Sequence, residues 1–175
     1  MGKTVALVVD VQEGIVSDSL YNKDVFLNTL KESIDYLRSR EIEIIYIRHQ
    51  DEIGDALEYG KPGWEIYHEV KPLSNEKIFD KERNSAFRNT GLKEYLNTKE
   101  ADTIILMGLQ TDYCMDATCK VAFEYGYTVY VVENTNTTED NIYMNGKTTV
   151  EFYNQHMWPK RYATIISLEK MKELY

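Results

Sequence analysis

Cys114 stands in the segment Gly108-Leu-Gln-Thr-Asp-Tyr-Cys114-Met-Asp-Ala-Thr-Cys119, after a run of apolar β-type residues and at the opening of an amphipathic helical pattern. A thiol at a strand-to-helix turn sits where backbone N–H groups and the helix dipole favour negative charge. Such a position favours a thiolate, and a thiolate is a nucleophile. Asp10 ends a second apolar run, Thr4–Val9, and Lys81 follows a weak strand pattern, Lys77–Asp80. A carboxylate can move a proton, and an ammonium can steady an anion on sulfur. Each residue also has an ordinary reading. Asp10 could accept from a nearby backbone N–H, Lys81 could be a surface lysine, and Cys114 could be a small buried hydrophobe. Their shared placement at strand ends is what sets them apart.

The elements that must position them follow from periodicity. Thr4–Val9 and Ile42–Ile47 are short, continuous apolar runs that predict buried strands, Thr103–Met107 predicts a strong fourth, Tyr127–Val132 and Ala163–Ile166 a fifth and a sixth, and Lys77–Asp80 a weak third. Between them, Asp24–Ser39, Leu92–Leu96, Cys114–Tyr125, Lys147–His156 and Leu168–Leu174 predict helices, with Leu27, Leu30, Ile34 and Leu37 marking the buried stripe of the first. Thr90 falls near the start of the second helix, and Gly126 stops the third. Residues 50–74 hold Gly54, Gly60, Pro62, Gly63 and Pro72, so a long irregular excursion is expected there. Alternating strands and helices predict an α/β, Rossmann-like three-layer fold: a six-stranded, mostly parallel sheet with helices on both faces. Ligands of such sheets bind beyond the carboxyl ends of the strands, where the strand order reverses. Asp10, Lys81 and Cys114 can meet there.

Composition narrows the function. The 175 residues suit one domain, 1–175, with a single core. The net charge of −9 argues against nucleic acid or an anionic membrane as a partner. Two cysteines do not make a disulfide framework. On a helix, Cys114 and Cys119 point about 140° apart, so they are expected to stay reduced, as in a cytoplasmic setting. The stretch Val5–Val9 is too short for a signal-peptide core, and no stretch is long enough to span a membrane.

Three blocks together resemble the isochorismatase-like cysteine hydrolases, a family that includes nicotinamidases, isochorismatases and related amidohydrolases. They are Ala6-Leu-Val-Val-Asp10-Val-Gln12, Lys81-Glu-Arg-Asn-Ser85-Ala-Phe87, and Gly108-Leu-Gln-Thr111-Asp-Tyr-Cys114-Met-Asp-Ala-Thr118 running on to Ala122 and Gly126-Tyr-Thr-Val129. Their order and separation cover nearly the whole chain. The resemblance implies a catalytic triad of Asp10, Lys81 and Cys114. Asp10 would take the thiol proton and return it to the leaving amine, Lys81 would lower the thiol pKa, and Cys114 would form a thioester. It further implies an oxyanion site at the backbone N–H groups of Gln110 and Cys114, with a cis peptide between Leu109 and Gln110.

Nicotinamidases of that family carry an Asp and His metal cluster after the second strand. Here Asp51 matches the acid, but Ile53 stands where a histidine is expected, so the resemblance favours a metal-free branch without cofactor. Structural or surface roles are expected for His49 and His68. The Cys114 segment most resembles an amide- and lactam-hydrolysing branch that includes streptothricin hydrolase-like proteins. Cys119 then packs the helix. Gln12, Trp64, Phe87 and Tyr113 are candidate pocket residues, and each ring can equally fill the core. The segment Glu133–Asp140 departs from the family's commoner ending and is expected to form a helix-capping turn.

The reading is therefore a cysteine-dependent hydrolase of a C–N bond (amide, lactam or ureide) in a small molecule. As the family's members usually are, it is expected to be a homo-oligomer. Two alternatives stand beside it. Isochorismatase-type vinyl-ether hydrolysis needs no cysteine, so Cys114 counts against it. A non-catalytic receiver-like module needs an acid cluster at the first strand end, where Val11 and Gln12 follow Asp10.

Overall fold

The structure, a computed structural model, describes residues 3–175. Six strands form one sheet: β1 Lys3–Val9, β2 Glu43–His49, β3 Lys77–Lys81, β4 Ala101–Leu109, β5 Thr128–Thr137 and β6 Thr164–Ile166. Their order is β3-β2-β1-β4-β5-β6, and every neighbouring pair is parallel. The helices are α1 Lys23–Ser39, α2 Leu92–Thr98, α3 Asp116–Glu124, α4 Gly146–Phe152 and α5 Leu168–Leu174.

The continuous apolar runs make sense in this sheet because both faces are covered. On one face Val5, Leu7, Val9, Ile45, Ile47, Ile104 and Leu106 pack with Leu92, Leu96, Cys119 and Ala122 of α2 and α3. On the other, Ala6, Val8, Ile44, Tyr46, Ile105 and Met107 pack with Phe26, Leu30, Ile34 and Leu37 of α1 and Met171 of α5. Each such side chain contributes roughly 1.5–3 kcal/mol of burial, so the period of two along β1 fixes which residues face which helix layer. The central strands are held too firmly to shift register.

Strand order reverses between β1 and β4, which pair from Thr4↔Thr103 to Val9↔Gly108. Gly108 makes this seam possible. Its φ is +134°, and a Cβ there would meet the Val9 carbonyl oxygen at 2.1 Å. Only a glycine lets β4 run this close to the end of β1.

Two predicted elements differ. The helix expected from Cys114 begins earlier, as a wide π-type turn over Thr111–Met115 that leads into α3. The turn expected over Glu133–Asp140 is instead mostly strand. β5 runs on to Thr137, and its pairing with β4 jumps from Leu106↔Val131 to Gly108↔Asn136. A bulge takes up the extra residues. Its buried polar groups are satisfied: Thr135 Oγ1 donates to the Val132 carbonyl at 2.8 Å and Thr111 Oγ1 to Asn136 Oδ1 at 2.8 Å. Among the described residues no helix is long and apolar enough to cross a membrane.

Candidate active site

Asp10 follows the last residue of β1, Lys81 ends β3, and Cys114 lies in the turn after β4. The sheet brings all three to one point. Lys81 Nζ is 2.7 Å from Asp10 Oδ2 and 3.2 Å from Cys114 Sγ. The side chains of Lys81 and Asp10 are 0% and 1% exposed. Asp10 has φ +52°, a left-handed backbone seldom adopted outside glycine, asparagine and aspartate. Among the described residues no backbone N–H donates to its carboxylate, and neither oxygen has a hydrogen-bond partner apart from the Lys81 ion pair at Oδ2. The ordinary reading of Asp10 as a loop-capping acceptor therefore fails. A buried carboxylate oxygen without a donor is costly unless something else, such as a thiol or a substrate, donates to it.

The nucleophile turn is clamped from three sides. Ala86 N donates to Thr118 Oγ1 at 3.0 Å, tying the segment after Lys81 to α3. Trp158 Nε1 donates to Asp116 Oδ1 at 2.9 Å. Thr138 Oγ1 donates to Asp112 Oδ1 at 2.7 Å.

A fourth residue joins the cluster. His49 is the register partner of Lys81 across β2 and β3, and its Nδ1 lies 3.0 Å from Lys81 Nζ. Its Nε2 is 2.9 Å from Asp51 Oδ1. These contacts fit an imidazole that accepts from Lys81 at Nδ1 and donates from Nε2 to Asp51. The role expected of His49, structural or at the surface, is structural and close to the site: it contacts Lys81 and helps orient the lysine. The register of β2 against β3, which pairs His49 with Lys81, is what brings the ring to the ammonium.

The electrostatics also correct the sequence. The helix end and Lys81 were expected to make Cys114 acidic. Burial instead pushes its thiol up to about 12, the negative Asp10 adds to this, and Lys81 opposes it without prevailing. Burial likewise raises the Asp10 carboxyl above the ordinary carboxylate range, against the pull of Lys81. Burial thus opposes ionisation of both the thiol and the carboxyl, and the Lys81 ammonium opposes burial at each. Cys119 is buried, its thiol pushed up by burial to about 12, and it is not bonded to Cys114.

A cavity of about 340 Å³ opens onto Cys114, lined by Asp10, His49, Asn84, Gln110 and Tyr113, with Ile15 and Leu57 as apolar wall and Glu139 and Ser17 among the rest. Its size suits a small molecule. The Leu109–Gln110 peptide is cis. Another depression of about 340 Å³ follows β3 past Asp80, Glu82, Arg83 and Arg88; it touches Lys81 but not Asp10 or Cys114.

Tyr113 alone of the four expected pocket residues lines the reactive cavity. Gln12 is fully buried and turned into the backbone, its Nε2 donating to the His49 and Trp64 carbonyls at 2.9 Å each and its Oε1 accepting from His49 N at 2.7 Å. It holds three segments together instead. Trp64 lies under the Arg48 guanidinium, 3.2 Å from the ring centroid, and against Tyr59. Phe87 fills the core beside Tyr125 and Tyr127. His68 is exposed and pairs with Glu13.

The donor set does not suit a metal. At the nicotinamidase-like position, Asp51 is taken by His49, and Ile53, 92% exposed, has no donor atom. One oxygen of Asp10, one ring nitrogen of His49 and Cys114 Sγ lie within 4.8 Å of one another. The Lys81 ammonium reaches all three, so a fixed cation already serves that centre.

Residues 4–148 match the model of the isochorismatase domain. The chain belongs to the isochorismatase family. The isochorismatase family protein YrdC of Bacillus subtilis is 28% identical over 136 residues, 75% of this chain and 72% of that one. Streptothricin hydrolase of Streptomyces noursei is 25% identical over 136 residues, 77% of this chain but 54% of its own length. A solved isochorismatase family protein superposes with a TM-score of 0.87 at 26% identity, over 94% of this chain and 98% of that one. The protein is an isochorismatase-family hydrolase.

Proposed function

We propose that this hydrolase cleaves a C–N bond of a small amide, lactam or ureide through a thioester on Cys114. The observation that carries this reading is the contact of one buried ammonium, Lys81, with both Asp10 and Cys114, at 2.7 and 3.2 Å. Relatives support the bond class: alongside Streptothricin hydrolase stand Nicotinamidase 3 of Arabidopsis thaliana and Maleamate amidohydrolase of Pseudomonas putida.

In this mechanism Asp10 takes the thiol proton as sulfur attacks the carbonyl carbon. The S–C bond forms and the carbonyl electron pair moves to oxygen. The N–H groups of Gln110 and Cys114 receive that oxyanion. Collapse breaks the C–N bond, and Asp10 hands its proton to the departing nitrogen. Water then gives a proton to Asp10 and adds to the thioester. The second collapse breaks the C–S bond, the acid leaves, and the proton returns to sulfur. Lys81, in contact with both Asp10 and Cys114, steadies each anionic stage. A high thiol pKa suits the scheme, because a strongly basic sulfur is a strong nucleophile once its proton moves in step with attack.

Ammonia-release assays over amides, lactams and ureides test the reading. Wild-type protein is expected to release ammonia or amine from at least one class, and Cys114→Ala to release none. Full activity in Cys114→Ala overturns the covalent route; no ammonia or amine from any class, with a vinyl ether hydrolysed instead, favours vinyl-ether chemistry, which needs no thiol.

A further inference from the structure

We propose that Glu139 makes this cavity select substrates that carry a cationic group at the end away from the scissile bond; this rests on the C–N hydrolase reading for the reaction, and not for the binding. Glu139 lies just beyond β5, in the stretch where the strand runs on past its expected end. It lines the same cavity as Cys114. Its carboxylate is fixed: Ser17 Oγ donates to Oε1 at 2.6 Å and Ser19 Oγ at 2.5 Å. The serine segment is itself stitched to β5 by Tyr21 N donating to the Thr138 carbonyl at 2.9 Å. Both hydroxyls converge on Oε1, and among the described residues no hydrogen bond reaches Oε2.

The charges of the cavity then add up unevenly. Asp10 is compensated by Lys81. Glu139 has no lysine, arginine or histidine within ion-pair distance among the described residues. Two hydroxyls orient its charge without neutralising it. Tyr113, 53% exposed, lines the same cavity, and an aromatic face can seat an ammonium group. Ile15 and Leu57 supply an apolar stretch of wall for a spacer. The chain's net charge of −9 favours the approach of cations. Together these features describe an ammonium or amidinium joined by a short apolar linker to the amide.

Three matched amides test this: 6-aminohexanamide, hexanamide and 6-amino-6-oxohexanoate, carrying an ammonium, a methyl group and a carboxylate at the far end. The wild-type protein is expected to favour the ammonium over the methyl compound by roughly tenfold or more in kcat/KM, mostly through KM, with the carboxylate last. Added salt should shrink the preference. Glu139→Gln should bring the ammonium-to-methyl ratio close to one, and Glu139→Lys should move the carboxylate ahead of the ammonium. A wild-type ratio near one, or equal losses on all three amides in Glu139→Gln, overturns the proposal and leaves Glu139 a structural role. Calorimetric binding of the same three compounds to Cys114→Ala separates the two readings. Tighter binding of the ammonium compound, abolished by adding Glu139→Gln, supports the cation site even if no amide is hydrolysed. No preference in binding overturns it even if hydrolysis is seen.

Discussion

His49 Nδ1 sits 3.0 Å from the Lys81 ammonium while His49 Nε2 meets Asp51. This chain of contacts aims the lysine at both Asp10 and Cys114. A hydrogen bond to a charged group contributes roughly 1.5–3 kcal/mol. His49→Ala is therefore expected to lower kcat by about 10- to 100-fold with little change in KM, and Asp51→Asn by less, since the imidazole stays in place. Steady-state kinetics on any hydrolysed amide check this. An unchanged kcat in His49→Ala would show that packing alone holds Lys81.

The thiol of Cys114 is held near 12 by burial and then by Asp10. Alkylation by iodoacetamide should thus be slow at pH 7–8 and climb steadily into the alkaline range. In Asp10→Asn the negative neighbour is gone and Lys81 remains, so the thiol becomes more acidic. Cys114 should then alkylate faster at pH 8 than in the wild type, while hydrolysis falls on the order of 10² or more for want of a base. The two readouts move in opposite directions. Slower alkylation in Asp10→Asn would contradict the electrostatics described here.

Lys81→Met leaves Asp10 buried without its cation, which costs roughly 3–5 kcal/mol. The sign with pH follows from the raised carboxyl. A group whose pKa is raised on folding favours the fold below its unfolded value, and that contribution fades as pH rises through the folded value. In Lys81→Met the carboxyl rises further, so the variant should recover stability as pH falls from 8 towards 5. Urea denaturation at both pH values measures it, and a deficit that does not narrow would count against the model of a stranded charge.

Gly108 and Gly54 both have positive φ, at +134° and +104°, but only Gly108 faces a neighbour, the Val9 carbonyl oxygen at 2.1 Å from a Cβ. Gly108→Ala should destabilise by more than about 3 kcal/mol, because two backbones must separate beside Asp10. Gly54→Ala has open space and should cost about 1 kcal/mol, the conformational term alone. Thermal melts of the two variants distinguish them.

Much of this was legible in the residues. Unbroken apolar runs such as Val5–Val9 can only be strands covered on both faces, so the order of elements followed, and with it the meeting of Asp10, Lys81 and Cys114 at strand ends. What was not legible depends on neighbours distant in sequence. His49 was set aside because Ile53 breaks the metal pattern, yet register with Lys81 places its ring on the ammonium. Gln12 follows Asp10 closely enough to suggest the pocket, but the backbone groups at His49 and Trp64 draw its amide inward. Glu139 lay hidden because the bulged continuation of β5 has the composition of a turn. The acidity of Cys114 failed for another reason: sequence shows the helix end but not the depth of burial, and depth wins.

The burial of Cys114 also bears on how long the protein lasts. Oxidants attack sulfur chiefly as the thiolate. A site that keeps its proton until a substrate carbonyl arrives leaves little of that form in the idle protein. The unfolded chain, whose cysteine is not buried, has no such shelter. Closing the seam between β1 and β4 therefore does more than assemble a catalyst: it also discourages ionisation of a sulfur that the cavity leaves open to small molecules, so oxidation of Cys114 by peroxide should be slow at rest and quicken when the fold opens locally.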